Sequence, residues 1–317
     1  MNSSATVLAI SGGVGGAKLA LGLAHTVNAS DLAVLVNTGD DFTHLGFRIC
    51  PDLDTVLYTL GGVVHPTQGW GRADETFGFM VENKRQGGPD WFSLGDRDLV
   101  LHAERTRALQ AGESLSVIMA RLAQRFGLAS QILPMSDSTV ATMLETNQGR
   151  LAFQDYFVRL RCVPSVRKIV FDGATEAVLS PDFLTILASG TLEAIILCPS
   201  NPYLSIDPIL AVPGLRDALR ATGVPIVAVS PLIFGRAVKG PTAKIMQELG
   251  VPVTTESILR HYEGFIDALV LDTADSEQVQ SLPIPCAITD ILMTTLADKQ
   301  RVAGCALALS KKLRGRV

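Results

Sequence analysis

Four aspartates crowd one short stretch of this chain: Asp40 and Asp41 in Asn37-Thr-Gly-Asp-Asp41, then Asp52 and Asp54 in Pro51-Asp-Leu-Asp-Thr55. Just upstream lies a glycine-rich segment, Ser11-Gly-Gly-Val-Gly-Gly-Ala-Lys18. Backbone N–H groups of such a segment, opening a helix, can cradle phosphate oxygens. Four carboxylates gathered there would repel one another unless a cation neutralised them, and Mg²⁺ prefers one or two carboxylates plus phosphate oxygens and water. The pairing points to phosphate chemistry, with some of the acids as metal ligands or a base and the rest free to serve as helix caps.

The glycine segment fits neither familiar phosphate motif. Gly13 and Gly15 begin a dinucleotide fingerprint, but Lys18 stands where its third glycine belongs. A Walker loop needs glycine before its lysine and Ser or Thr after it; here those places hold Ala17 and Leu19. What favours anion binding over a plain tight turn is position, at the end of a first strand. Gly12, Gly13, Gly15, Gly16 and Lys18 are the candidate phosphate contacts.

Further along come Leu94-Gly-Asp-Arg-Asp98, Pro134-Met-Ser-Asp137, Pro199-Ser-Asn-Pro202 and Ser230-Pro-Leu-Ile-Phe-Gly-Arg-Ala-Val-Lys-Gly-Pro241. Arg97 is either half of a surface ion pair or a guanidinium presented to a substrate oxygen. Ser200 and Asn201 can hydrogen-bond a base or phosphate. Arg236, Lys239 and Lys244 would bring positive charge to the same edge, and Lys239, between glycines, could meet a carboxylate on the donor.

The elements that must position these residues form an alternating pattern. Thr6–Ile10, Leu32–Val36, Ala194–Cys198, Pro225–Val229 and Ala268–Asp272 are short continuous apolar runs, as expected of strands buried on both faces. A helix over Ala17–Val27 completes a first βαβ unit, and another begins near Leu53. The pattern predicts an α/β fold: a doubly wound, mostly parallel, Rossmann-like sheet whose binding edge lies at the carboxyl ends of its strands. The 317 residues read as a single unit, an α/β core over about 1–55 and 130–317 with a helical insertion over about 56–129. Helical spacing there covers Arg97–Gln110 and Ser114–Phe126. Val140–Thr146 and Arg150–Arg159 flank Asn147-Gln-Gly149 as a hairpin.

Composition narrows the class. The formal charge of −4 excludes a nucleic-acid scaffold, and Lys311, Lys312, Arg314 and Arg316 read as a cationic helix end. No apolar run reaches a membrane span, and the first residues do not read as a signal peptide. Five cysteines without CxxC pairing indicate neither a disulfide framework nor zinc. A reduced, cytoplasmic enzyme is expected.

Taken in order, Ser11-Gly-Gly-x-Gly, Pro51-Asp-Leu-Asp-Thr55, Leu94-Gly-Asp-Arg-Asp98, Leu133-Pro-Met-Ser-Asp137, Phe153-Gln-Asp155, Pro199-Ser-Asn-Pro202 and Ser230-Pro-Leu-Ile233 resemble the 2-phospho-L-lactate transferase family of coenzyme F420 biosynthesis. The resemblance implies a Mg²⁺-dependent homodimer in which the ribityl hydroxyl of the deazaflavin Fo attacks a guanosine-diphospho-linked lactate, phosphoenolpyruvate or related acid. An F420-0 form and GMP would result. It also implies that Asp54 and Arg97 contact Fo, that Asp41, Asp52 and Asp54 supply metal ligands, and that the glycine segment with Ser200 and Asn201 meets the guanylated donor. Asp54 is the expected proton acceptor, with Asp52 and Arg97 beside it in catalysis. The rival readings are a nicotinamide-dependent oxidoreductase, disfavoured by the missing third glycine, and a non-catalytic nucleotide-binding regulator, which has little need of so many acids.

Overall fold

The computed structural model describes residues 5–237 and 240–315. Its centre is a seven-stranded sheet built from β1 (Val7–Ser11), β2 (Leu32–Val36), β3 (Gln131–Pro134), β4 (Ala194–Leu197), β5 (Ile226–Val229), β6 (Ala268–Leu271) and β7 (Cys286–Ile288). The spatial order is β7-β6-β5-β4-β1-β2-β3, and each neighbouring pair is parallel. The chain runs outward from β1 in one direction, then returns to β4 on its other side and runs outward again. That reversal leaves a crevice beyond the carboxyl ends of β1 and β4, where open α/β sheets bind their ligands.

Every residue of β1 and β2 is buried, and alternate side chains enter two different cores. Leu8, Ile10, Leu35, Ile195 and Leu269 face one; Val7, Ala9, Val34, Ile196 and Val270 face the other. This explains the unbroken apolar runs. A strand covered by helices on both sides has no wet face on which to alternate.

The second core is closed by α1 (Gly13–Ala24), α2 (Pro51–Leu60), α4 (Leu115–Arg125) and α5 (Leu296–Arg314). Helix α1 approaches α5 so closely at Gly22 that a Cβ there would strike the Lys299 carbonyl. Between β2 and β3 the chain forms α2, the helix Gly78–Arg85, α3 (Asp96–Gln110) and α4. Before them stands a short antiparallel hairpin, Phe42–His44 with Phe47–Ile49. Its turn residues Leu45 and Gly46 both have positive φ, 51° and 81°, the geometry of a tight two-residue hairpin turn.

Three features depart from the sequence expectations. The hairpin around Asn147 forms, but its second arm is a strand only over Gly149–Ala152; Asp155–Arg159 is a π-helical turn. A third strand, Val166–Asp172, joins the first arm; its exposed Arg167 and Lys168 interrupt any simple alternation. Strand β3 ends in Pro134, a residue that sheet edges tolerate because its missing N–H can face outward. No helix of the described residues is long and apolar enough to cross a membrane.

Candidate active site

The crevice between β1 and β4 is lined by the glycine segment on one side and Pro199–Asn201 on the other. Ser200 Oγ clasps Gly12, accepting from its N–H at 3.1 Å and donating to its carbonyl at 2.7 Å. Glycine is required here mainly by crowding. A Cβ on Gly15 would lie 2.6 Å from the Pro199 carbonyl oxygen, and one on Gly16 would collide with Ser11 Oγ. On Gly12 it would stand 2.8 Å from Asp52 Oδ2. Gly13 adds a positive φ of 65°, open to glycine at no steric cost.

Asn201 Oδ1 accepts from the Tyr203 and Leu204 N–H groups, leaving its Nδ2 buried without a partner among the described residues. Ser11 Oγ and Thr38 Oγ1 are likewise buried and unpartnered. Orphaned donors of this kind are costly unless a ligand completes them.

The acids approach from β2 and α2. Pro51 occupies the first turn of α2 with Asp52 and Asp54, where proline is pre-shaped for a helix start and acids complement its dipole. Asn37 Nδ2 donates to both Asp40 Oδ1 and Asp52 Oδ2, each at 3.0 Å, and Asp52 also receives the Gly13 N–H. A carboxylate therefore already sits at the N-terminus of α1.

These acids are buried with too little positive charge. Burial, then the neighbouring Asp52 and Asp41, pushes the Asp40 carboxyl well above its usual range. Burial raises Asp52 to about 6, against the hydrogen bonds from Asn37 and Gly13. It raises Asp41 to about 7, opposed mainly by Arg48, which stands 3.6 Å away. The Cys50 thiol adds a weaker opposing contact to the same buried carboxylate.

Asp54 is arranged differently. Arg105, fully buried on α3, engages it with two guanidinium nitrogens: Nη1 meets Oδ2 at 3.0 Å and Nη2 meets Oδ1. His102 Nδ1 lies 3.7 Å from the same carboxylate, and burial lowers its pKa to about 4. Arg105 was not singled out from the sequence, although it lies on the stripe of α3 that carries the buried Leu101 and Ala108, and a charge on such a stripe demands a partner.

The other predicted residues are scattered. Lys18 Nζ donates to the Met293 carbonyl at 2.7 Å, tying α1 to the segment before α5. Arg97 is exposed at the rim of a depression of about 290 Å³ that it shares with Arg72, Arg125 and Phe126. Lys244 donates to Pro164 and Glu248, bracing the three-stranded sheet. Lys239 lies outside the described residues. A larger pocket of about 740 Å³, lined by Phe234, Leu259, Tyr262 and Ile284 among others, contains none of these groups; chemistry rather than volume locates the site.

Among the described residues, no three Asp, Glu, His or Cys side chains form a ready-made metal cage. The chemistry of the donors nevertheless suits Mg²⁺. Two carboxylates, Asp40 and Asp52, are held together in a buried setting short of positive charge, and that ion takes its remaining ligands from phosphates and water.

Comparisons with known proteins agree with this architecture. Residues 7–284 match the family model of the 2-phospho-L-lactate transferase CofD. A phosphoenolpyruvate transferase of Kitasatospora aureofaciens is 42% identical, over 97% of this chain and 98% of its own. Its namesake in Streptomyces coelicolor is 38% identical, over 97% and 99%. Among solved structures, a UPF0052 family member from Bacillus halodurans superposes with a TM-score of 0.63 over 95% of this chain and 99% of its own, at 14% identity, a likeness of fold alone. With its motifs, its sheet order and its relatives in accord, the chain belongs to the 2-phospho-L-lactate transferase family, CofD.

Proposed function

We propose that this phospho-acid transferase of coenzyme F420 biosynthesis joins the ribityl hydroxyl of Fo to the phosphorus of a guanylated phospho-acid. The hydroxyl oxygen forms a new P–O bond, the bond from that phosphorus to the bridging oxygen breaks, GMP departs with the bridging oxygen, and the hydroxyl proton is released. The carrying observation is the set of buried acids, Asp40, Asp41 and Asp52, beside a glycine loop at the sheet's reversal point. Phosphoryl transfer depends chiefly on in-line positioning and on charge neutralisation.

In this reading Gly12–Gly16, Ser200 and Asn201 receive the donor, whose phosphates complete the orphaned Ser11 and Asn201 groups. Asp40 and Asp52 would hold Mg²⁺, which when bound neutralises phosphate charge. Arg97 and the Asp54–Arg105 pair stand on α3 and α2, and we assign the Fo side of the cleft to them. The names of the relatives favour phosphoenolpyruvate over phospholactate as the transferred acid. The assembly we assign, on the family resemblance, is a homodimer.

The test supplies Fo, Mg²⁺ and equal amounts of the guanylated phosphoenolpyruvate and phospholactate donors, and follows products by mass. A dehydro-F420-0 product matched one-for-one by GMP is expected. Consumption of neither donor would remove the proposal, and a dominant lactyl product would reverse the choice of acid.

A further inference from the structure

We propose that Asn37 is a positioning residue that holds two cleft carboxylates together through one side-chain amide, so that a divalent cation finds them paired. Asn37 directly follows β2 and is 1% exposed. Its Oδ1 accepts from the Gly39 N–H at 2.8 Å, which fixes the direction of the amide. Both Nδ2 hydrogens are then available, the full donor capacity of a primary amide. They go to acids from different elements: Asp40 Oδ1 in the loop and Asp52 Oδ2 in α2, each at 3.0 Å.

Left alone, two like charges in a buried site would separate. The loop has little room to do so. Its Gly39 carbonyl accepts from the Thr142 N–H at 2.6 Å, and its Asp40 carbonyl accepts from Gln154 Nε2 at 3.0 Å. Asn37 itself is anchored by its N–H to the Ser11 carbonyl at 3.0 Å. Nearby, Asp41 is buried with only Arg48, 3.6 Å away, and the Cys50 thiol facing its carboxylate. An amide that gathers acids, within a frame that prevents their retreat, stores electrostatic strain that a cation relieves.

The inference rests on the cation-dependent reading of the cleft, and two measurements separate their fates. In the first, Mn²⁺ is titrated into protein with GDP present and the free ion is followed by electron paramagnetic resonance. Asn37→Ala and Asp52→Asn should each weaken Mn²⁺ binding by about tenfold or more, the usual cost of losing a supporting residue, and in Asn37→Ala the metal-free GDP affinity should stay within about twofold of wild type. If Asn37→Ala does not fold, Asn37→Ser, whose one hydroxyl can serve only one acid, takes its place. In the second, metal-free denaturant unfolding compares Asn37→Ala, Asp40→Asn and the double variant. At alkaline pH, where both carboxyls are ionised, Asp40→Asn removes the repulsion that Asn37 offsets, so the double variant should be more stable than the sum of its parts. Unchanged Mn²⁺ affinity in Asn37→Ala, or strict additivity in unfolding, overturns the role of Asn37. A wild-type protein that takes up no Mn²⁺ overturns the reading of the cleft itself, and with it the purpose assigned to the amide.

Discussion

Two acid-rich loops in this molecule look alike in sequence and do opposite things in the fold. In Gly95-Asp-Arg-Asp98, Asp96 accepts from Thr76 Oγ1 and from the Gly78 and Phe79 N–H groups, closing the start of the helix Gly78–Arg85. Glu75 reciprocates by accepting from the Arg97 and Asp98 N–H groups at the start of α3. Those hydrogen bonds, led by Thr76, hold the Asp96 carboxyl below its usual range. In the loop after β2, burial instead drives Asp40, Asp41 and Asp52 upward. The contrast holds between Asp96 and the cleft acids; Asp98, in the same loop as Asp96, is raised by burial to about 7 as the cleft acids are.

The contrast is sharpest between Asp54 and Asp52, two residues apart on α2. Asp54→Asn leaves the buried Arg105 guanidinium without its counter-charge, and breaking such a pair costs about 3–5 kcal/mol; denaturant unfolding should show the loss. Asp52→Asn removes a buried charge from a site short of positive ones, so stability should hold or rise. Turnover, however, should fall by about 10²-fold or more. A stable, inactive Asp54→Asn with an unstable, active Asp52→Asn would invert the comparison.

The raised acids also predict a pH signature. Folded Asp41 keeps its proton up to about pH 7, from an ordinary value of 3.8, so folding takes up a proton in that window. Stability of the metal-free protein should therefore fall as pH rises between about 4 and 7, with the penalty complete above 7. The stability of Asp41→Asn relative to wild type isolates the effect: it should grow across the window, and a flat difference would count against burial as the cause.

Arg97→Lys keeps the charge but loses the planar fork. A rise of about tenfold in the KM for Fo, with an unchanged melting temperature, is expected if Arg97 meets the acceptor. A fallen melting temperature with an unchanged KM would make it part of the capping arrangement instead. Asp96→Ala should lower the melting temperature by a few degrees and leave turnover alone; lost turnover at full stability would move this loop into the site.

Much of the sheet was legible because buried parallel strands write themselves as unbroken apolar runs. Leu32–Val36 agrees residue for residue, and the glycine loop and Pro199–Asn201 fall at the reversal of strand order, as their place after β1 and β4 implied. What was hidden depends on single contacts between distant residues. Nothing periodic announces that Arg105 meets Asp54, 51 residues away, that Lys18 ends on Met293, or that Ser200 clasps Gly12. Asn37 was visible within its motif, but its work depends on the helix that brings Asp52 beside it.

If the buried acids Asp40, Asp41 and Asp52 are kept for a divalent cation that accompanies the donor, turnover must depend on that cation. The most direct measurement is GMP release from the guanylated donor in the presence of Fo, first with a chelator and then with Mg²⁺ restored, in wild type and Asp52→Asn. Wild type should release no GMP under chelation and recover fully with Mg²⁺, while Asp52→Asn should remain slow in both. GMP release unaffected by the chelator, or an Asp52→Asn enzyme that responds to Mg²⁺ as wild type does, would contradict it.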